Sequence, residues 1–278
     1  MADARRLVET RPTGHGRARG LVSSRSSGRR IEAHAYAPSD DLAPVVAALW
    51  SGRWDLEGEP PHVTELVGDP CVNLVCEQGG AHAGSRVVGV WTRLWRRELR
   101  DRGRVRGVKL RAGAVRAFVP APAFRLGNRI TPLRSIFDDA NALEQAVLAP
   151  EDDAEGFAAF EQWLRARRST IDTSIPVQLV ERIAADPEIT TVERLADIAG
   201  YGPRALQRMF REHVGASPKW VIRCNRLQEV ALRLERGDGP TLAALAAELG
   251  YTDQAHLARD FKSVVGKAPS DFADAVHR

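Results

Sequence analysis

Three groups of side chains have types and spacings that could do chemistry. Cys71 and Cys76 lie five residues apart in a strand-like run, CVNLVCE. An odd spacing in a strand sends them to opposite faces. No histidine cluster lies nearby in sequence, so a zinc site is not expected. They read as buried thiols, and Cys71, beside Pro70, is the one that a redox or alkylation sensor would use. The second group is basic: residues 91–116 hold ten Lys/Arg against two acids. Within it Arg102, Arg104 and Arg106 stand two apart, with Val105 between the last two, which places the arginines on one strand face. That face is either solvated or a contact for an anion, the DNA backbone or a polar ligand. The third group is aromatic: Trp50, Trp54, Trp91 and Trp95 either pack the core or line an effector pocket. The seven histidines are scattered, and HExxH, GxSxG, P-loop and GxGxxG patterns are absent. Neither catalysis, a cofactor nor a metal is therefore expected.

These groups need elements to hold them. From about 35 to 135, Val-rich runs such as RVVGVWT and VRGVKLRA alternate with Gly, Pro and Asp, the pattern of a β-rich sandwich or barrel. From about 138 the period lengthens. DDANALEQAVL and AEGFAAFEQWLRARR read as helices, with Phe157, Phe160, Trp163 and Leu164 on one stripe that suits a core or a dimer contact. Arg167 to Ser174 reads as a polar linker. Everything after Ile175 reads as helix interrupted by glycine.

That last region contains an internal repeat. Thr191, Leu195, Ala196, Gly200 and Tyr201 recur as Thr241, Leu245, Ala246, Gly250 and Tyr251, an offset of 50. After one inserted residue, Leu206, Arg208, Phe210, Gly215 and Pro218 recur as Leu257, Arg259, Phe261, Gly266 and Pro269, an offset of 51. Each copy has a Thr suited to capping a short helix, a Gly suited to ending it in the left-handed region, and a second amphipathic helix. This is a helix-turn-helix layout. Ser217-Pro218 caps and starts a helix that runs to about Glu235. Its ~18 residues make a strut of about 27 Å. Such a strut could hold two second helices about one DNA turn, ~34 Å, apart.

The stretches LADIAGYGPRALQRMFREHVGASPKWV and AAELGYTDQAHLARDFKSVVGKAPSDF resemble the DNA-binding domain of AraC/XylS-type bacterial transcription regulators, over about residues 175–276. WDLEGEPPH, DPCVNLV and RGRVRGVKLRAGAVRAF are similar to a poorly characterised sensor-like domain that precedes such domains. The resemblance implies that helices near Pro203–His213 and Asp253–Val264 enter the major groove. It implies that Arg204, Gln207 and Arg208, and Gln254, His256 and Arg259, meet base edges, where Arg suits guanine and Gln suits adenine. Arg211 and Lys262 would suit phosphates. One departure is Ala268 where the family usually has Thr, which removes an N-cap hydroxyl worth ~1 kcal/mol from the last helix. The resemblance also implies RNA polymerase as a partner, and a small-molecule effector or protein partner for the first domain, with a homodimer as one assembly.

The length of 278 residues fits about two domains. No apolar run or N-terminal segment resembles a membrane span or a secretory signal, so a cytoplasmic protein is expected. Three cysteines exclude a disulfide-built scaffold. The net charge of +4 hints at a polyanionic partner, but its location weakens the hint. Residues 1–34 hold eight Arg and three acids, whereas residues 175–278 hold 14 cations and 14 acids. The expected organisation is a disordered basic tail over 1–34, either inert or a non-specific DNA arm. A β-rich sensor or dimerisation domain over 35–170 and a DNA-binding domain over 175–278 follow. The fold class is thus α+β multidomain: a β-rich N-terminal domain with flanking helices, then an all-α domain with two helix-turn-helix motifs joined by a linker helix. The expected function is a sequence-specific DNA-binding transcription regulator, an activator by the resemblance. The rival is an enzyme or ligand carrier whose helical domain mediates assembly.

Overall fold

The structure is a computed structural model that describes residues 21–23, 31–66, 68–80, 82–237 and 241–277. The strands are β1 (Leu21–Ser23), β2 (Ile31–Tyr36), β3 (Val46–Leu56), β4 (His62–Leu66), β5 (Asn73–Gly79), β6 (Gly84–Val88), β7 (Trp95–Leu99), β8 (Asp101–Leu110) and β9 (Ile130–Pro132). Two antiparallel sheets result: a larger one in the order β2-β3-β8-β5-β6-β9 and a smaller one in the order β1-β4-β7. The boundary expected at residue 34 falls inside β2, because Ile31 to Tyr36 pair continuously with Trp54 to Leu49 of β3. The rest of the expected basic tail, apart from β1, lies outside the described residues.

The larger sheet is buried on both faces. Leu49, Leu74, Cys76, Val108 and Leu110 join one core. Helices α1 (Ala140–Leu148) and α2 (Asp153–Ala166) cover that side, with Phe157, Phe160 and Leu164 fully buried. The aromatic stripe of α2 is therefore core. On the opposite face Trp54, Leu56, Val75, Leu99 and Val105 form a second cluster, with Trp50 packed against it. In the β3–β8 ladder Trp50 stands opposite Gly107 and Trp54 opposite Gly103. A Cβ on Gly103 would lie 2.2 Å from the Trp54 ring, and one on Gly107 2.3 Å from the Trp50 ring. The glycines let two indoles lie across the neighbouring strand. Gly103→Ala is expected to overpack this face and cost about 1–3 kcal/mol, read as a lower denaturation midpoint. An unchanged midpoint would mean that the indole is free to move aside.

The arginine run of β8 grades from solvent into the core: Arg102 is exposed, Arg104 half-buried and Arg106 buried, and all three are engaged by protein partners. Arg106 is 2% exposed. Its Nε donates to Asp153 at 2.8 Å, Nη1 to the carbonyls of Val147 and Pro150 at 2.6 and 2.8 Å, and Nη2 to that of Glu151 at 3.0 Å. Arg104 binds Gln78 and Glu151, and Arg102 binds Asp55. The arginines do share a face, but the acidic corner between α1 and α2 descends on it. Asp153 also accepts from Ser51 at 2.5 Å and from Tyr36 at 2.8 Å. Burial alone would raise its pKa, but the bonds from Ser51, Arg106 and Tyr36 outweigh this and lower it. Burial together with Asp153 pushes Tyr36 up to about 12. Gly156 admits the guanidinium to the helix, since a Cβ there would sit 2.6 Å from Nη1.

The helical region continues with α3 (Ser174–Ala185), α4 (Val192–Ala199), α5 (Pro203–Met209), α6 (Pro218–Arg236), α7 (Leu242–Glu248), α8 (Gln254–Val265) and α9 (Pro269–His277). It does not pack as one unit. Leu195, Leu206, Phe210, Val221 and Ile222 belong to the same continuous core as the β domain. Leu227, Val230, Leu245, Leu257, Phe261 and Phe272 form a separate core. The two ends of α6 thus belong to different hydrophobic bodies.

Candidate nucleic-acid interface

The repeat is a structural repeat. Thr191 accepts a hydrogen bond from the Arg194 N–H at 3.1 Å, and Thr241 from that of Ala244 at 3.3 Å. Gly200 and Gly250 take φ of 68° and 69°, in the left-handed region that favours glycine. The Tyr201 and Tyr251 N–H groups then return to the carbonyls of Ala196 and Ala246. Pro203 opens α5, and Asp253 caps α8 by accepting from the His256 N–H at 2.6 Å. Ser217 caps α6, whose 19 residues make a rod of about 28 Å.

The second helices differ at their ends. α8 stays α-helical to Gly266, but α5 stops at Met209 and passes into a π turn, Phe210–Val214. The helix expected to run to His213 is therefore shorter. The turn packs against Ala123–Arg125 of the β domain.

Arg204, Gln207 and Arg208 are exposed on α5, while Leu206 and Phe210 face the core. Gln254, His256, Arg259 and Lys262 are exposed on α8, with Leu257 and Phe261 turned inward. The His256 ring stands edge-on to Tyr251 with centroids 5.2 Å apart. Arg211 lies in the π turn, exposed, with its guanidinium 4.3 Å from the Phe124 ring. Burial lowers the pKa of His213, although Glu212 beside it works in the opposite direction.

Many of the other cations are paired, although Arg194 and Lys219 are exposed and, like these, have no carboxylate partner among the described residues. Within the described residues most arginines of the β domain meet a carboxylate: Arg53 binds Glu151, Arg165 binds Asp41, and Arg86 and Arg97 share the buried Glu77. On the helices Arg223 binds Asp260, and Arg233 binds Glu229 and Glu248. Arg204, Arg208, Arg211, Arg259 and Lys262 have no carboxylate partner among the described residues.

The other candidates fall elsewhere. The Trp50 Nε1 donates to Asn73 at 3.2 Å, and the Trp54 Nε1 to the Arg100 carbonyl at 3.0 Å. Trp91 lies beside Gly68, and Trp95 is in β7. A shallow cavity of about 340 Å³ is lined by Tyr201, Ala205, Arg208, Met209, Glu212 and His213. Another of about 260 Å³ lies between α1 and α2. Neither includes any of the four tryptophans. Burial pushes the Cys76 thiol up to about 12 and raises that of Cys71 further, so both disfavour the reactive thiolate. Among the described residues no cluster of His, Cys, Asp and Glu could hold a metal, and no helix is long and apolar enough to cross a membrane.

Two capped helix-turn-helix units on one linking helix define a double helix-turn-helix protein. Residues 195–275 match the family described as "Helix-turn-helix domain", and residues 34–132 match "Domain of unknown function (DUF6597)". The chain is 31% identical to the XylDLEGF operon transcriptional activator 1 of Pseudomonas putida, over 29% of this chain and 25% of that protein. It is 32% identical to the multiple antibiotic resistance protein MarA of Salmonella typhimurium, over 30% of this chain and 64% of that one. A solved probable AraC family transcriptional regulator from Rhodopseudomonas palustris is 30% identical, covering 36% of this chain and 94% of its own, with a TM-score of 0.32. The chain spans about a quarter of the length of the first curated relatives it matches, 28% and 25%. Residues 195–275 thus match a helix-turn-helix domain, and the C-terminal part of the chain is similar to that of these transcription regulators.

Proposed function

We propose that this protein is a sequence-specific DNA-binding transcription regulator. α5 and α8 enter successive major grooves, and α6 sets their separation. Arg204, Gln207 and Arg208, with Gln254, His256 and Arg259, read base edges; Arg211 and Lys262 hold phosphates. The observation that carries this reading is the set of exposed cations without carboxylates on equivalent faces of a repeated unit, in a chain whose arginines are otherwise mostly paired. Free guanidinium groups keep all their donors for a ligand, and a twice-presented set fits a duplex with a helical repeat. The β domain receives the signal, from a small molecule or a protein partner. The protein works in the cytoplasm with RNA polymerase, as an activator, and homodimerisation is one assembly open to it.

The test is selection of duplexes from a random-sequence pool by the full chain, followed by fluorescence anisotropy across a salt series. A shared sequence in the selected pool, bound more tightly than scrambled DNA and weakening steeply with salt, is the expected result. Enrichment of no sequence would overturn the reading.

A further inference from the structure

Within the β domain, Arg93, Arg125, Arg129 and Arg134 are exposed and have no carboxylate partner among the described residues, in contrast to most arginines around them. Three of them sit on two loops that are joined to each other. The Asn128 N–H donates to the Val90 carbonyl at 2.8 Å. The Thr92 N–H donates to the Asn128 Oδ1 at 2.9 Å, and the Asn128 Nδ2 to the Thr92 Oγ1 at 3.0 Å. Asn128 reaches this position in the left-handed region, with φ of 53°. The paired loops carry Arg93 on one side and Arg125 and Arg129 on the other.

Each loop touches the carboxyl end of one second helix. The 124–129 loop supplies Phe124, on which Arg211 stacks. It also runs so close to Gly215, the cap after the π turn, that a Cβ there would sit 2.9 Å from the Ala123 carbonyl oxygen. The other loop supplies Leu94, which packs against the second helical core and lies 3.4 Å from where a Cβ on Gly266, the cap of α8, would be. The pair therefore bridges the ends of α5 and α8. The same loops carry three exposed guanidinium groups that have no carboxylate partner among the described residues.

We infer that these paired loops form a third DNA contact, in which Arg93, Arg125 and Arg129 bind phosphates of the duplex that α5 and α8 straddle. The inference rests on the DNA-reading proposal above. The contact is to backbone: the three arginines flank no common pocket, are exposed, and sit on loops tied to a sheet. Such groups add affinity and set register without choosing sequence. The contact also makes the β domain part of the DNA-bound assembly, so that a signal reaching its loops alters binding directly.

The experiment compares the full chain with its Arg93→Ala/Arg125→Ala/Arg129→Ala variant and the matching triple Lys variant. The probe is a fluorescein-labelled 40-bp duplex selected by the wild-type protein, in 75–300 mM KCl. Each lost phosphate contact lowers the slope of log K against log salt by about 0.9, so the Ala variant should lose about two to three from the slope. Its preference for the selected over a scrambled duplex should stay unchanged, and the Lys variant should regain the wild-type slope. A wild-type slope in the Ala variant overturns the inference and leaves the DNA reading standing. That holds whether the loops instead serve an acidic protein or, if the melting temperature drops, the two helix ends. Absence of any sequence preference in the wild type overturns the underlying reading, and the inference with it.

Discussion

Arg106→Ala is expected to destabilise the protein by about 3–5 kcal/mol, the usual cost of removing one partner from a buried ion pair. The loss would include more than the charge pair. This guanidinium donates four hydrogen bonds: to Asp153 and to the carbonyls of Val147, Pro150 and Glu151. Without it Asp153 keeps only Ser51 and Tyr36, and the carbonyls at the end of α1 are stranded beneath α2. Arg106→Lys should recover little, because an ammonium cannot reproduce the planar fork that reaches both sides of the corner. Urea denaturation is the measurement. The Asp153 pKa is held below the usual carboxylate value, so its contribution is present above about pH 4 and is lost as the pH falls through the lowered value. The gap between wild type and Arg106→Ala should therefore narrow in acid. A variant within about 1 kcal/mol of wild type at neutral pH would show that the corner is held by the apolar contacts of α2 alone.

Arg208→Ala and Arg259→Ala should each weaken binding to the selected duplex by about 1–3 kcal/mol, and both should relax discrimination against scrambled DNA. The two arginines are equivalent in the repeat, yet Arg208 belongs to a helix packed on the β-domain core and Arg259 to one packed on its own core. They share no partner among the described residues, so the double variant should lose close to the sum. Anisotropy on selected and scrambled duplexes reads both effects. Wild-type discrimination in the double variant would mean that α5 and α8 do not read bases. Equal losses on both duplexes would move these arginines to the phosphates.

Much of the helical region was legible because its signals are local. Thr191, Gly200, Thr241 and Gly250 cap and end their helices through bonds spanning only a few residues, so the residue type alone commits the backbone. The exposed faces of α5 and α8 follow from the 3.6-residue period once Leu206, Phe210, Leu257 and Phe261 turn inward. The end of α5 was not legible. Phe210 to Gly215 and Phe261 to Gly266 have the same length and similar residues, yet only the first winds as a π turn, where it lies against Ala123–Arg125.

The sequence by itself determined the repeat, its caps and the side chains each second helix offers outward, since these depend on neighbours within a turn or two. Only the tertiary structure decided which arginines are free. Arg106 and Arg208 are the same residue type, but the partners of Arg106 lie more than forty residues away, on a corner that folds onto its strand. It likewise decided that the first helix-turn-helix unit shares a core with the β domain while the second stands apart, and that the loops carrying Arg93, Arg125 and Arg129 are joined through Thr92 and Asn128. A charge becomes available for a ligand when no carboxylate reaches it, and that depends on contacts between segments distant in the chain.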